Sequence, residues 1–208
     1  MLIKSISYNQ EEILQWILKL HCTTSIELDT TYSKGNFYKG NIKKPKYKFD
    51  SYPQFKDVKK VVGAEIPLEN NCINTAIFDP PFLATKGSSL QINNDSNKIV
   101  KRFGNFPTEK LLHQFYIDAL IEFYRVLTPD GILIFKCQDK VSSGNQYFSH
   151  KFIMNEAEKI GYYCKDMFIL LAKNRIVANW QLKNQKNARK FHSYFLVLQK
   201  KNKKIEYL

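Results

Sequence analysis

Alternating strand and helix patterns predict an α/β fold on a mostly parallel, seven-stranded sheet that closes with an antiparallel hairpin near the carboxyl end. Three observations carry this expectation. Short β-branched and aromatic runs alternate with helical stripes. Residues 132–135 (ILIF) are continuously apolar, as a strand covered on both faces requires. The last two strand runs have no helical pattern between them, so they suit a hairpin rather than a crossover.

Each element has its own reason. Residues 11–20 (EEILQWILKL) carry apolar side chains at 13, 14, 16, 17, 18 and 20, the mark of a mostly buried helix. Strands follow at 25–29, 46–50, 59–64 and 75–78, the last running into Asp79-Pro80-Pro81-Phe82. Residues 83–107 are polar, rich in Gly, Ser and Asn, and aperiodic, so they read as a long loop of the kind that is usually functional or disordered. Thr108-Glu109 caps a helix over 108–127, with Leu111, Leu112, Phe115, Ala119, Leu120, Phe123 and Val126-Leu127 as its stripe. Pro129-Asp130-Gly131 reads as a turn before the 132–135 strand. A helix over 150–160 stops at Gly161, and strands at 168–172 and 194–198 complete the sheet. Residues 200–208 read as a basic, solvated tail. No internal repeat is visible, and 208 residues suit one domain.

Composition narrows the function. Lys and Arg total 32 against 19 Asp and Glu, a formal charge of +13. That excess favours a polyanionic partner, nucleic acid before an anionic membrane surface, although a Lys-, Asn- and Ile-rich chain is also what an AT-rich genome encodes. No apolar run is long enough to span a bilayer, and the first residues do not form a secretory signal. Cys22, Cys72, Cys137 and Cys164 are widely spaced, which argues against a zinc cluster or a disulfide framework. They read as reduced, mostly buried thiols of a cytoplasmic protein. The histidines show no metal-ligand spacing, so no metal is expected.

Three predicted strands end in an acid: Asp29, Asp50 and Asp79. In parallel α/β sheets ligands bind outside the carboxyl ends of strands, so these tips are the candidate site. Asp79-Pro80-Pro81-Phe82 is the sharpest signal. Two prolines stiffen the turn and remove two backbone donors. A carboxylate, a free carbonyl and an aromatic face then suit a planar ring bearing an amino group, with Asp79 and Pro80 accepting from the amine and Phe82 stacking on the ring. Taken alone, the same four residues also read as a surface turn. They are not alone: Asp29 opens a small-residue turn through Thr31, Tyr32, Ser33 and Gly35, and Asp50 lies about 20 residues further on, the spacing of an acid that binds ribose hydroxyls. Residues 173–192 carry Lys173, Arg175, Lys183, Lys186, Arg189 and Lys190 with no acid, plus Trp180, a pattern fit for phosphates and base stacking or for a solvated loop with one buried Trp. Residues 39–48 hold five lysines with the same two readings. Residues 136–139 (KCQD) follow the apolar 132–135 strand and are a candidate lining for a target pocket.

At these residues the chain resembles class I, S-adenosylmethionine-dependent amino-methyltransferases of the DNA adenine-N6 or cytosine-N4 type, especially their small phage and mobile-element members. The family's Asp/Asn/Ser-Pro-Pro-aromatic signature falls on Asp79-Pro80-Pro81-Phe82. Its first motif falls on Leu28-Asp29 through Ser33-Lys34-Gly35, with Ser33 in place of the first glycine. Its second-motif acid falls on Asp50, and its third, near the cofactor's adenine, on Glu65. The run at 122–135 resembles the family's helix-turn-strand. The resemblance covers about residues 25–198. It implies a Rossmann-like methyltransferase fold and S-adenosylmethionine as cofactor. It also implies direct in-line methyl transfer to an exocyclic amine, with adenine N6 in DNA favoured by the leading Asp. The same motif occurs in RNA-base methyltransferases, and a catalytically silent nucleic-acid- or partner-binding relative is the reading from another class. Lacking a large recognition insert, such an enzyme would rely on the 83–107 and 173–192 segments, a separate specificity subunit or a homodimer.

Overall fold

The first helix illustrates how local sequence sets the frame. Asn9 accepts the Glu11 backbone N–H, Glu11 and Glu12 fill the first turn, Lys19 and His21 the last, and Ile13, Leu14, Trp16 and Ile17 are buried. The computed structural model describes residues 2–61, 64–84, 106–142, 144–174, 185–203 and 205. In chain order its elements are β1 (Ile6–Ser7), α1 (Gln10–His21), β2 (Leu28–Asp29), β3 (Tyr47–Asp50), β4 (Lys59–Lys60), β5 (Ile73–Phe78), α2 (Glu109–Val126), β6 (Leu127–Cys137), β7 (Lys140–Ser142), β8 (Asn145–Tyr147), α3 (Ser149–Ile160), β9 (Tyr162–Leu171) and β10 (His192–Lys200), with a 3₁₀ turn at Asn36–Tyr38.

The main sheet has eight strands in the order β1-β9-β10-β6-β5-β2-β3-β4. All neighbours are parallel except the two pairs that involve β10. This is the mostly parallel sheet with an antiparallel β9–β10 hairpin that the pattern predicts. It has eight strands, not seven, because the two-residue β1 joins the edge beside β9 and is too short to show a period. β7 and β8 form a small separate hairpin.

The sheet has a core on each face. Ile13, Leu14 and Ile17 of α1 pack with Ile77, Ile134 and Val197 on one side. Leu112, Tyr116, Leu120 and Phe123 of α2, with Ile153 and Ala157 of α3, pack with Phe78, Phe135 and Leu196 on the other. Thr108 caps α2 by accepting the Leu111 N–H. Leu111 itself is exposed, against the predicted stripe, since it lies one residue off the face carried by Leu112, Tyr116 and Leu120. Gly161 ends α3 at φ +117, and a Cβ there would meet the Tyr124 hydroxyl at 2.8 Å.

Three further boundaries and the burial of the thiols depart from the sequence pattern. The strand at 59–64 is only Lys59–Lys60. Residues 129–131 lie within β6 as an irregularity in its pairing with β5, where Asp130 takes φ +61. Lys200 belongs to β10, not to the tail, and its ammonium holds the Leu127 carbonyl. Of the thiols, Cys137 is buried and Cys72 is exposed, contrary to the expectation of general burial. Within the 83–107 loop, residues 85–105 lie outside the described residues, and a bridge joins Ala84 to Phe106 at its base.

Candidate active site

Strand parity decides which side chains meet. Leu28, Phe49, Phe78 and Phe135 all belong to the core beneath α2 and α3. Successive side chains alternate faces, so the next residues, Asp29, Asp50, Asp79 and Lys136, turn to the opposite face at the carboxyl edge. Asp29 pairs with Lys48 of β3 and Ile77 of β5. Asp50 and Asp79 therefore stand two residues further out, roughly 6–7 Å at strand rise. β2 ends before its two neighbours, at the point where the sheet order reverses and ligands of such sheets bind, and the turn that follows it reaches both Asp50 and Asp79.

The turn after β2 ties the three acids together. Asp29 is fully buried; its Oδ1 accepts the Thr31 N–H at 2.8 Å and hydroxyl at 3.2 Å, and its Oδ2 accepts the Tyr38 hydroxyl at 2.7 Å. The Thr31 Oγ1 in turn accepts the Asp79 N–H at 2.8 Å. Asp50 accepts the Ser33 N–H at 2.7 Å and the Tyr52 N–H at 2.8 Å. Gly35 donates its N–H to the Tyr32 carbonyl to close the turn, and the Tyr32 and Tyr38 rings stack at 5.3 Å. Ser33 at φ +49 and Gly35 at φ +66 both take left-handed backbone. A Cβ on Gly35 would meet the Tyr32 hydroxyl at 2.8 Å, so glycine is needed there twice over. Burial pushes the Asp29 carboxyl up to about 7, against the opposing hydrogen bonds from Tyr38 and Thr31. With both oxygens engaged inside the protein, Asp29 organises the turn.

Asp79 is arranged differently. Its Oδ2 lies 3.1 Å from the Lys136 ammonium. Its Oδ1 is buried and has no hydrogen-bond partner among the described residues. Burial raises the Asp79 pKa, opposed by Lys136. The following turn is clamped from two sides: Tyr116 donates its hydroxyl to the Pro81 carbonyl at 2.7 Å, and Lys140 donates to the Phe82 carbonyl at 2.6 Å while pairing with Glu109 at 2.8 Å. Pro80 is buried and Phe82 half-buried. Those two bonds leave the Pro80 carbonyl as the acceptor of the turn that neither clamp engages. The unpartnered carboxylate oxygen is an acceptor for an N–H group.

The structure thus brings Asp29, Thr31, Tyr32, Ser33, Gly35, Asp50 and Asp79-Pro80-Pro81-Phe82 together. It does not bring Glu65 to them. Glu65 is exposed and lines an open cleft of about 460 Å³ with Lys60, Ile66, Glu122 and Arg125. Arg125 there holds Glu122 and the Ile66 and Leu68 carbonyls. The basic segment leaves β9 and returns through β10. Since β9 runs parallel to β1 and, through β10, to β6, this segment emerges at the same edge as Asp79. Lys173 and Lys186 are exposed and Arg189 is half-buried, while Arg175, Trp180 and Lys183 lie outside the described residues. The sequence pattern missed Tyr38, Tyr116 and Lys140. Lys136 had a signal: Phe135-Lys136 repeats the apolar-then-charged ending of Leu28-Asp29, Phe49-Asp50 and Phe78-Asp79.

Comparison with family models and with curated proteins gives no match. Solved structures do match. A chain of the complex between the Haloferax volcanii Trm112 methyltransferase activator and the methyltransferase named with it is 10% identical, with a TM-score of 0.51, over 95% of this chain and 92% of that one. The chain has the Rossmann-like methyltransferase fold. The cyclase SpnF matches equally well, at 10% identity and a TM-score of 0.51 over 92% of this chain and 81% of that one. The fold therefore leaves the reaction open, and the site must decide it. A Thermus thermophilus protein named as a DNA modification methylase, solved with S-adenosyl-L-methionine, is 15% identical with a TM-score of 0.45 over 68% of this chain. The chain spans about half the length of that protein (53%).

Proposed function

We propose that the protein is an S-adenosylmethionine-dependent methyltransferase acting on the exocyclic amine of a nucleic-acid base, adenine N6 in DNA. The observation that carries this reading is the buried Asp79 Oδ1, which has no hydrogen-bond partner among the described residues, at the head of the Pro80-Pro81-Phe82 turn. A carboxylate oxygen buried without a donor is costly unless a ligand supplies one. An aromatic amine offers two N–H bonds in the plane of its ring. Asp79 and Pro80 accept them and leave the nitrogen lone pair aimed out of that plane. Phe82 offers a face for the ring, as expected of a base taken out of its stack. Tyr116 and Lys140 fix the turn in advance, so little ordering is left for the moment of reaction.

The residues at these strand ends fit the cofactor. Asp50 stands at the end of β3, and a carboxylate there is suited to ribose hydroxyls; its hold on the Ser33 and Tyr52 N–H groups fixes it beside the turn. The turn at 31–35 brings backbone close to any ligand seated beside Asp50. S-adenosylmethionine, when bound, supplies the methyl group on its sulfonium sulfur. The net charge of +13 and the basic segment at the same edge favour a nucleic-acid substrate.

The test is transfer of tritiated methyl to unmethylated genomic DNA, rRNA and tRNA, run with calorimetric binding of S-adenosylmethionine. Wild-type protein labels DNA. Asp79→Ala loses at least about 100-fold in transfer and keeps its cofactor affinity. Labelling of RNA alone moves the substrate to an RNA base. Equal loss of transfer and affinity in Asp79→Ala removes Asp79 from the role assigned to it.

A further inference from the structure

Lys136 is an unusual neighbour for a residue that receives an amine. Its ammonium sits 3.1 Å from Asp79 Oδ2, its side chain is only 14% exposed, and the Phe37 and Phe195 rings lie 5.2 and 5.7 Å from it. Boxed between two rings, the ammonium is held at Asp79 and cannot swing out to meet a phosphate as a surface lysine would.

We propose that Lys136 is a positioning residue of the methyl-transfer site, whose ammonium clamps Asp79 Oδ2 and so reserves Oδ1 for the substrate's amino group. This rests on the reading of the site given above and deepens it. Two requirements follow from the chemistry. The acceptor oxygen must be ionised to accept both strongly and directionally, and the carboxylate must not turn about its own axis. Burial works against the first. The groups around Asp79 divide unevenly: Asp29 on β2, itself buried, adds negative charge, Tyr116 on α2 and Cys137 on β6 feel the Asp79 charge without neutralising it, and Lys136 alone among the described residues opposes the burial. Thr31 engages only the Asp79 backbone. The second requirement is met because one oxygen is held by Lys136 while the other, though buried, has no partner among the described residues. During transfer the C–S bond breaks as the N–C bond forms, positive charge moves from sulfur to nitrogen, and the methylated amine then gives one N–H proton to solvent. A paired carboxylate and ammonium present that nitrogen with no net charge, while the carboxylate oxygen is the nearer of the two.

The experiment is a double-mutant cycle on the full chain with Lys136→Met, Lys136→Gln, Lys136→Arg, Asp79→Asn and the Asp79→Asn/Lys136→Met pair, reading methyl transfer to DNA against pH and urea unfolding in parallel. Lys136→Met and Lys136→Gln lower kcat roughly 100-fold, leave the KM for S-adenosylmethionine unchanged, and move the acid limb of the kcat/KM profile to higher pH. Lys136→Arg restores most of the rate. In the Asp79→Asn background, Lys136→Met brings no further loss. An unmoved acid limb, or the same fold-loss in both backgrounds, overturns the proposal. Unfolding separates the two ideas: if the wild-type protein transfers no methyl group, the reading of the site fails, whereas an absence of coupling between positions 79 and 136 in the urea midpoints overturns the clamp itself.

Discussion

Ser33 shows how much a single backbone angle decides. It occupies φ +49, where an L-residue crowds its own backbone and glycine does not. Its N–H is nonetheless fixed to Asp50, so the turn holds its shape through a backbone donor that any residue except proline supplies. A non-glycine residue in this region carries strain of about 1 kcal/mol or more, while glycine loses about 0.5–1 kcal/mol in chain entropy. Ser33→Gly is therefore expected to hold or raise stability by up to about 1 kcal/mol, and Ser33→Val to lower it, as read from urea midpoints. A loss above that size in Ser33→Gly would mean that the serine side chain, not the backbone, holds the turn. The same reasoning explains why Ser33 can stand where the resembled family has glycine without losing the geometry around Asp50.

At the scale of elements, the site depends on α2 as much as on the strand ends. Tyr116 lies in the buried face of α2, fully covered, and its hydroxyl reaches the Pro81 carbonyl. Tyr116→Phe keeps the ring's packing against Phe135 and removes only that bond. The expected stability cost is about 1 kcal/mol, with a fall in kcat and an unchanged cofactor affinity. Unaltered kcat would show that the two prolines hold the turn unaided. What the sequence made legible follows the same physics. Three acids after apolar runs could be read as strand tips because carboxylates there are out of place in a core. Lys136 could be read as part of a pocket lining at 136–139, but its pairing with Asp79 could not, since a lysine after a strand ordinarily marks a return to solvent. Tyr116 was hidden among other buried apolar residues of a helical stripe. Pro129-Asp130-Gly131 carries the same chemistry in a β-irregularity as in a reverse turn, and only the pairing of Thr75 with Ile132 tells them apart. β7 and β8 are short and polar, so no alternation announced them.

For the whole molecule, charge must be distributed to matter. Parallel strands collect their carboxyl ends at one edge, and the described ends of the β9–β10 connection bring Lys173 and Lys186 to that edge as well. α3 runs the other way: it begins beside Asp139, which holds His150, and ends at Gly161, where β9 starts at the opposite edge. Lys159 near that end is exposed and paired with Glu156. The two edges therefore make opposite predictions for binding to DNA. Each phosphate neutralised releases condensed counterions, so the slope of log K against log salt measures the number of contacts, about −0.9 for each in duplex and about −0.7 in single strands. Lys173→Ala and Lys186→Ala should each weaken binding and make the slope shallower by about one contact. Lys159→Ala should leave it unchanged. Fluorescence anisotropy with a labelled duplex and a labelled single strand, titrated over a range of salt concentrations, reads all three variants. If Lys159→Ala shifts the slope as much as Lys173→Ala, the positive charge acts as a diffuse cloud and the carboxyl edge is not the nucleic-acid face.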